Sequence, residues 1–348
     1  MGKPPGNQGS QSSSQPTMDD VAARAGVSRA LVSLVMRESP RVSAHSRDKV
    51  LAAAAELGYR PNLWARRLAQ GRSDTVGVML NDLLNPYFTE LAQAVATAAA
   101  ERQLEVLVSS GWGRPDGESA AVESLLNLRA DGMVLCGPRL GLDVLTGYAA
   151  GIPTVGISIY GQPDAFDTVC NDEANGARLI VDHLVALGHT RIAHIHADVA
   201  SGGPERRMGY VDAMAANGLE PIMVAGDFTE EAGVNGAEEL LALATPPTAI
   251  MAGNDLAAVG VLGRLAARGL RVPDDISVVG YDDTRLASTS TASLTTVHQP
   301  RPLMGQRTLE LLVERLEGRT EARHELIKGR LVTRSSTGPV ARSSPETA

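Results

Sequence analysis

The chain has 348 residues, of which 43% are hydrophobic and only 3% aromatic, with 32 Lys and Arg against 40 Asp and Glu. This length predicts two or three domains whose cores are filled mainly by Ala, Val and Leu. Cys136 and Cys170 are the only cysteines and lie in apolar runs, which excludes a disulfide framework and favours a reducing compartment. Since no apolar run approaches the roughly 18 residues of a membrane span, we expect a soluble, cytoplasmic protein.

Residues 1–16 consist mainly of Gly, Ser, Gln and Pro and have no apolar stretch. This composition predicts a disordered tail and not a signal peptide.

Residues 17–36 predict two short helices joined by a tight turn. Thr17 is placed to cap the first helix, and Asp20 completes a capping box. Gly26 is placed to end this helix in the left-handed conformation, and Ser28 to cap the next one. The second helix would bury three apolar side chains, those of Leu31, Val32 and Val35.

Two helices joined in this way are typical of a helix-turn-helix, which places its second helix in the DNA major groove. An ordinary helical hairpin in a protein core would show the same apolar spacing. Charge favours DNA, because residues 17–73 contain ten Lys and Arg against five Asp and Glu in a chain that is acidic overall.

A third helix is expected to begin after its cap Ser43 and to end at Gly58, which completes a small domain over residues 17–60. Its predicted apolar side consists of Val50, Leu51, Ala54 and Leu57. Beyond Pro61, residues 63–69 predict one short helix that is too short to be stable alone and should fold only against a partner chain or DNA. We place a hinge and linker at residues 61–73.

From Thr75 onward, buried strands alternate with helices as far as about residue 283. Such alternation predicts doubly wound parallel sheets, and the number of units fits two α/β lobes with a cleft between them, over residues 74–337. The remaining residues, 338–348, predict a flexible tail.

Polar pairs follow several of the predicted strands, where α/β sheets bind ligands. About half of them are expected to cap the next helix instead, Asp255 included. The pairs are Asn81 and Asp82, Ser109 and Ser110, Asn171 and Asp172, Asn254 and Asp255, and Asp282 and Asp283.

Taken together, these segments resemble the lactose-repressor (LacI) family of bacterial transcription regulators from about Thr17 to Ser336. The motifs that carry the resemblance are TMDDVAARAGVS, VSAHSRDKVLAAAAELGYRPN, NPYF after the first strand, LGHTRIAHI, MAGNDLAAVG, SVVGYDD, LTTVHQP and LVTRSS. The implied fold is an all-α helix-turn-helix head with a hinge helix, followed by a two-lobed α/β body like that of periplasmic binding proteins.

The resemblance implies a homodimer that binds a near-palindromic double-stranded DNA operator. Arg29 is the best base reader, since a guanidinium can bind guanine O6 and N7 together. Leu34 stands where relatives often have a polar residue, and Leu68 where a hinge leucine wedges between base pairs. The candidate DNA contacts are Thr17, Ser28, Arg29, Ala30, Ser33, Ser43, Ser46, Arg47, Asn62, Arg66 and Leu68.

In the body, the resemblance implies a small-molecule effector in the cleft. The chemistry suits a sugar or related metabolite such as a nucleoside, although Ser158 replaces an Asp that is frequent in relatives. Trp112 and Arg114 line the cleft entrance or are plain loop residues, and the environment of Trp64 stays open. The candidate effector residues are Tyr87, Phe88, Ser158, Arg206, Phe228, Asn254, Asp282 and Gln299.

We therefore predict an effector-controlled transcription regulator, most readily a repressor. Because the chain end lacks leucine heptads, we predict a dimer and not a tetramer. A sugar-binding component of a transport system would share the two-lobed body but not the head. An enzyme is disfavoured, because no nucleophile elbow, phosphate loop or metal-spaced cluster occurs. We expect no catalytic residues, no metal and no cofactor.

Overall fold

The computed structural model describes residues 16–37, 39–59 and 73–340, which form two compact units divided between Ser73 and Asp74. We call the first unit the head and the second the body. The predicted hinge residues Asn62, Trp64, Arg66 and Leu68 lie outside the described residues, as do most of both predicted tails.

The head contains three helices, α1 (Met18–Ala25), α2 (Arg29–Met36) and α3 (Ala44–Leu57). Thr17 and Asp20 form the predicted capping box, and Ser28 caps α2. Gly26 ends α1 with a φ of 64°, in the left-handed region where glycine has no steric penalty. These caps confirm the predicted turn, because each satisfies backbone groups that a short helix leaves unpaired.

Two apolar side chains of the head lie differently from the prediction. Leu31 is only half-buried, while Val32 and Val35 are buried. Leu51 was predicted to be buried but is 48% exposed, and the core takes Ala53 in its place. In so short a bundle the contact is narrow, so only part of the apolar stripe finds a partner.

The first lobe of the body is built on a six-stranded parallel sheet. Its strands are β1 (Thr75–Leu80), β2 (Glu105–Ser110), β3 (Gly132–Cys136), β4 (Thr154–Ile157), β5 (Asp167–Asn171) and β11 (His324–Ile327). They lie in the order β11-β5-β4-β3-β1-β2, and every pairing is parallel. The helices of this lobe are α4 (Pro86–Ala100), α5 (Pro115–Asn127), α6 (Leu142–Ala149) and α11 (Arg301–Leu316).

Both faces of the first sheet are covered by helices. Val76 and Val78 of β1 pack in one cluster with α4 and α11, whereas Met79 packs in another with α5 and α6. Burial on both faces explains why the inner strands β1, β3 and β4 read as continuous apolar runs, whereas the edge strands β2 and β11 stay partly exposed. Both cysteines are buried here, and burial raises the pKa of the Cys170 thiol to about 12.

The second lobe has a four-stranded parallel sheet in the order β7-β6-β8-β9. Its strands are β6 (Ile192–His196), β7 (Ile222–Ala225), β8 (Ala249–Met251) and β9 (Ser277–Val279). The helices are α7 (Glu173–Ala186), α8 (Gly203–Ala216), α9 (Glu230–Leu241) and α10 (Asp255–Ala267). A short antiparallel pair, β10 (Thr296–His298) and β12 (Arg330–Val332), packs beside α7.

Within residues 73–340 the chain passes between the lobes three times: after β5, after β10 and after β11. The last two passages send α11 and β11 into the first lobe and return the chain to the second. The predicted class, two doubly wound lobes behind a helical head, is confirmed. The loops at the carboxyl ends of the strands of both lobes meet at the cleft.

Candidate functional site

The exposed side of α2 in the head carries the candidate base-reading residues. Ser28, Arg29 and Ala30 are exposed and Ser33 is half-buried. Arg29 reaches only a loose ion pair with Asp19, at 3.7 Å between two exposed side chains. A pair of this kind contributes little, so the Arg29 guanidinium is available to another partner.

Leu34 lies on the same helix and is 40% exposed. It cannot donate or accept a hydrogen bond at a base edge, but it can contact a thymine methyl group. That this surface reads bases differently from relatives with a polar residue here stays a prediction.

The other candidate DNA-contacting side chains of the head also form hydrogen bonds within the head. Ser43 caps α3 by accepting from the Ser46 backbone N–H at 3.2 Å, and the Arg47 guanidinium donates to the Ser39 carbonyl at 2.8 Å. The Thr17 hydroxyl bonds Asp20 at 2.7 Å. These contacts hold the side chains at the ends of their helices, where backbone N–H groups attract phosphate.

In the body, a small cavity between the lobes collects seven of the eight candidate effector residues. Its volume is about 20 Å³, so in this conformation it has room for about one water molecule. The lining residues are Asn85, Tyr87, Phe88, Gly137, Ser158, Glu173, Ser201, Arg206, Phe228, Asp282 and Gln299.

Asn254 is the candidate that does not line the cavity. Its side chain caps α10 by accepting from the Ala257 N–H at 2.9 Å, and its amide reaches the Phe228 carbonyl at 3.5 Å. Asp255, which we expected to be a cap, instead accepts hydrogen bonds from Thr284 and Thr296 inside the protein.

Of the ten polar residues expected to converge on the cleft, only Asp282 lines the cavity. Asp172 caps α7, and Asn81 donates to Glu118 and to the Gly137 carbonyl. Asp172 and Asn254 are the two of these ten residues that cap a helix, fewer than the half that the sequence pattern indicated. Others, such as Asp82 and Ser110, accept from nearby backbone N–H groups instead.

A chain of hydrogen bonds crosses the cavity. The Tyr87 hydroxyl lies 3.3 Å from Ser158 Oγ and donates to Gln299 Oε1 at 3.0 Å. Gln299 in turn donates to Asp282 Oδ1 at 2.7 Å. The polar groups of the two lobes thus satisfy one another across the closed cavity, and an incoming ligand has to replace these bonds.

Arg206 is the buried cation of the site. Its Nε and Nη2 donate to Glu173 Oε2 at 3.0 and 2.9 Å, and Nη1 donates to the Gly253 carbonyl. The guanidinium carbon lies 3.5 Å from the centre of the Tyr281 ring and 5.0 Å from that of Phe228. Burial lowers the pKa of Arg206, but the charges of Glu173, Tyr281 and Asp282 and the hydrogen bonds to Glu173 together outweigh burial, so the pKa lies above its usual value.

Asp282 and Asp283 have φ angles of 112° and 55°, which strain residues with side chains. Arg301 donates to both of their carbonyls and pairs with Glu90 of α4 at 3.1 Å. Burial raises the pKa of Asp282 well above its usual value. Arg301 therefore holds the strained turn that presents the Asp282 carboxyl to the cavity.

The sequence reasoning missed four lining residues: Asn85, Gly137, Glu173 and Ser201. Asn85 caps α4 within the quoted NPYF motif, and this position was the available signal. Gly137 lies so close to Phe88 that a Cβ would be 2.5 Å from its ring. Ser201 donates to the Ser158 carbonyl across the cleft, a contact that has no sequence signal.

Trp112 and Arg114 lie on the loop after β2 and do not line the cavity. Trp112 is 62% exposed. In the part of the chain that the structure describes, no helix is long and apolar enough to cross a membrane. Over the same described ranges, no group of three His, Cys, Asp or Glu side chains could hold a metal ion.

A capped, basic helix-turn-helix joined to a two-lobed body with a polar cavity defines a DNA-binding transcription regulator with an effector domain. A family model for bacterial regulatory proteins of the lacI family matches residues 17–62, and one for a periplasmic binding protein-like domain matches residues 181–337. The chain belongs to the LacI family of bacterial transcription regulators, and the predicted family is confirmed.

Two curated relatives come from Escherichia coli (strain K12). The HTH-type transcriptional repressor CytR is 32% identical over 333 residues, which cover 92% of this chain and 96% of the relative. The ribose operon repressor is 34% identical over 307 residues, which cover 86% and 93%. Both relatives are repressors, so the prediction of a non-enzymatic transcription regulator is confirmed.

Among solved structures, the Lac repressor dimer bound to operator and the anti-inducer ONPF aligns with a TM-score of 0.83 and 32% identity. The alignment covers 93% of this chain and all of the other. The alternative of a transport component is disfavoured, because the family match includes the helix-turn-helix head. The chain is thus a LacI-family transcriptional repressor with a body of the type that binds sugars and other metabolites.

Proposed function

We propose that this repressor binds a near-palindromic operator as a homodimer and is controlled by a sugar or related metabolite bound between its lobes. The cavity between the lobes is the observation that supports effector control. It brings Tyr87, Phe88, Ser158, Arg206, Phe228, Asp282 and Gln299 together from both lobes. As a regulator of chromosomal DNA, the protein works in the cytoplasm.

Two aromatic rings from opposite lobes, Phe88 and Phe228, suit the flat or apolar face of a sugar or base. Arg206, Asp282 and Gln299 add donors and acceptors for hydroxyl groups. A relative named for a ribose operon agrees with this chemistry. Asn254 supports the site from behind, through the Phe228 backbone.

The head supplies the operator contacts in this proposal. Arg29, with Ser28, Ala30 and Ser33, faces the major groove, while Thr17, Ser43, Ser46 and Arg47 lie at the phosphates. Asn62, Arg66 and Leu68 contribute from the hinge. The effector shifts operator affinity by binding the open and closed states of the cleft unequally, since equal binding would shift nothing.

A mobility-shift experiment on the full chain tests this function. A near-palindromic site is first selected from random DNA, and binding is then measured over a salt series. We expect affinity to fall steeply with salt, because phosphate contacts release counterions. Leu68→Ala should lose about tenfold or more in specific affinity if the side chain wedges between base pairs.

The matched control is Leu243→Ala, an exposed leucine of the body, which should bind the site like the wild type. Salt-independent binding would contradict the phosphate contacts. Equal affinities of the two leucine variants would remove Leu68 from the interface.

A further inference from the structure

The positive charge of Arg206, which lines the cavity, is already paired with the carboxylate of Glu173 in the same cavity. Both oxygens of Glu173 already have partners: Oε2 accepts from Arg206, and Oε1 lies 3.1 Å from the Tyr160 hydroxyl, whose proton is shared with the Asn171 carbonyl at the same distance. The side chains of Glu173 and Arg206 are only 2% and 3% exposed. Glu173 therefore acts on a ligand mainly through the charge of Arg206.

A guanidinium has five N–H groups, and the bonds to Glu173 and Gly253 use three of those on Arg206. Two remain for a ligand at the cavity that Arg206 lines. Asp282 bonds Gln299 through Oδ1 and keeps a second oxygen. Donors on one group and an acceptor on another suit hydroxyls, each of which donates one hydrogen bond and accepts up to two.

The remaining ionisable groups do not restore a positive field, because Arg301, whose charge also acts on Asp282, is itself paired with Glu90 at 3.1 Å. Among the lining residues of the described chain, Asp282 is the other carboxylic acid, and Arg206 is the sole Lys or Arg. Whether Asp282 is protonated or ionised, the cavity has zero or negative net charge. A phosphate or carboxylate would lose its hydration there and meet no uncompensated cation.

We infer that Glu173 is a specificity-determining residue. By cancelling the charge of Arg206, it restricts the cavity to a neutral polyhydroxy effector, a free sugar or nucleoside, and rejects sugar phosphates, nucleotides and sugar acids. This inference rests on the proposed effector cavity. A purely structural Glu173 would predict only a loss of binding on substitution, whereas charge selection predicts a gain.

The test is calorimetric titration of the full chain with inorganic phosphate, in low-salt buffer that contains no other anionic ligand. Glu173→Gln keeps the shape and a hydrogen-bond acceptor but frees the charge of Arg206. It should bind phosphate about tenfold or more tightly than the wild type, the gain expected from a charge-assisted hydrogen bond. Ribose 5-phosphate should likewise gain affinity relative to ribose.

Glu239→Gln is the matched control, because Glu239 is exposed on α9 and its loss changes the net charge equally. It should bind phosphate like the wild type. This variant therefore measures any phosphate that binds outside the cavity, for example at the basic head. The double variant Glu173→Gln, Arg206→Gln should lose the gain. A Glu173→Gln chain that binds phosphate no better than Glu239→Gln, or a gain that survives in the double variant, would overturn the inference.

If circular dichroism shows Glu173→Gln to be unfolded, the phosphate affinities of the wild type and the double variant still test the inference. Equal phosphate affinities support charge cancellation, and weaker binding by the double variant contradicts it, because Arg206 would then already hold the anion in the wild type. These titrations contain no DNA. A failure of operator binding is therefore seen separately from a failure of this inference.

Discussion

Individual buried charges in the body are held by specific partners. Asp167 is fully buried and bonds both Arg315 and Arg319, and Arg301 bonds Glu90 and two backbone carbonyls near the cavity. An unpaired charge in such places would cost several kcal/mol, so each is a point where one substitution has a large effect. The same requirement explains why Arg206 comes with Glu173.

His194 illustrates the reverse solution, a buried group that stays neutral. It is 1% exposed on β6, and its Nδ1 lies 3.0 Å from the Met251 carbonyl. Burial lowers its pKa from 6.5 to about 3. The unfolded chain therefore binds an additional proton between these two values.

We expect the stability contributed by His194 to be complete above about pH 6.5 and to be lost as the pH falls toward 3. Between pH 7 and 5 the loss should be about 2 kcal/mol in the free energy of unfolding. Urea unfolding at both pH values measures it, in the wild type and in His194→Gln. The variant should show a pH dependence smaller by this amount.

His45→Gln is the control for this measurement, since His45 is exposed in the head and should leave the pH dependence of the body unchanged. An equal pH dependence in His194→Gln and the wild type would show that His194 does not stay neutral in the folded chain.

At the scale of elements, the helices pair closely at glycines. Gly305 brings α11 against Ala94 of α4, and Gly209 brings α8 against Ala174 of α7. Gly260 of α10 lies against the Glu230 carbonyl of α9, where a Cβ would overlap the oxygen. A backbone atom cannot move aside as a flexible side chain can, so these glycines set the distance between the helices.

Helix α10 provides a matched pair of substitutions. Gly260→Ala should destabilise the body by about 1–3 kcal/mol, because the added methyl group forces α9 and α10 apart. Gly263→Ala in the same helix meets no atom within 4 Å and should stabilise by up to about 1 kcal/mol through helix propensity. Urea unfolding followed by circular dichroism compares them. Two variants of equal stability would show that α9 and α10 tolerate separation.

At the scale of the whole body, one ion pair ties the two lobes across the cleft. Arg139 Nη2 of the first lobe lies 2.8 Å from each carboxylate oxygen of Asp227 in the second. The loop of Arg139 is anchored because its N–H and that of Leu140 donate to the fully buried Glu118. Asp227 also accepts from the N–H of Phe228, which lines the cavity. Closing the cleft through this ion pair therefore also positions Phe228, which forms part of the cavity wall.

Removing the tie should favour the open cleft. We expect Arg139→Ala to raise the population of open molecules about tenfold, the effect of losing one charge-assisted hydrogen bond. Hydrogen exchange of the cavity loop at residues 198–204 should speed up, and small-angle scattering should show a larger radius of gyration.

Arg114→Ala provides the comparison, because Arg114 is exposed and pairs only loosely with Asp116 in the first turn of α5, at 3.6 Å. It should leave both measurements unchanged. Unchanged exchange in Arg139→Ala would mean that other contacts, such as Ser201 with the Ser158 carbonyl, are sufficient to close the cleft.

The helices and strands were predicted mainly from signals between residues that are close in the chain. The caps Thr17, Ser28 and Ser43 and the glycines at positions 26 and 58 lie where the sequence placed them, because capping depends on residues three or four apart. The apolar runs of the body became parallel strands for a similar reason, since burial on both faces leaves no polar alternation. Helices α6 and α11 were not predicted, and neither was the entry of β11 into the first sheet.

The amino-acid sequence by itself determined the class of the protein, a helical DNA-reading head before a two-lobed α/β body, and its resemblance to the LacI family supplied seven of the residues that line the cavity. Only the tertiary structure decided that β11 pairs with β5, that Asn254 is a cap, and that Glu173 neutralises Arg206. Periodicity and capping act within a few residues of the chain. Ion pairs and strand pairings between distant segments depend on how the lobes pack, and no local pattern records that packing.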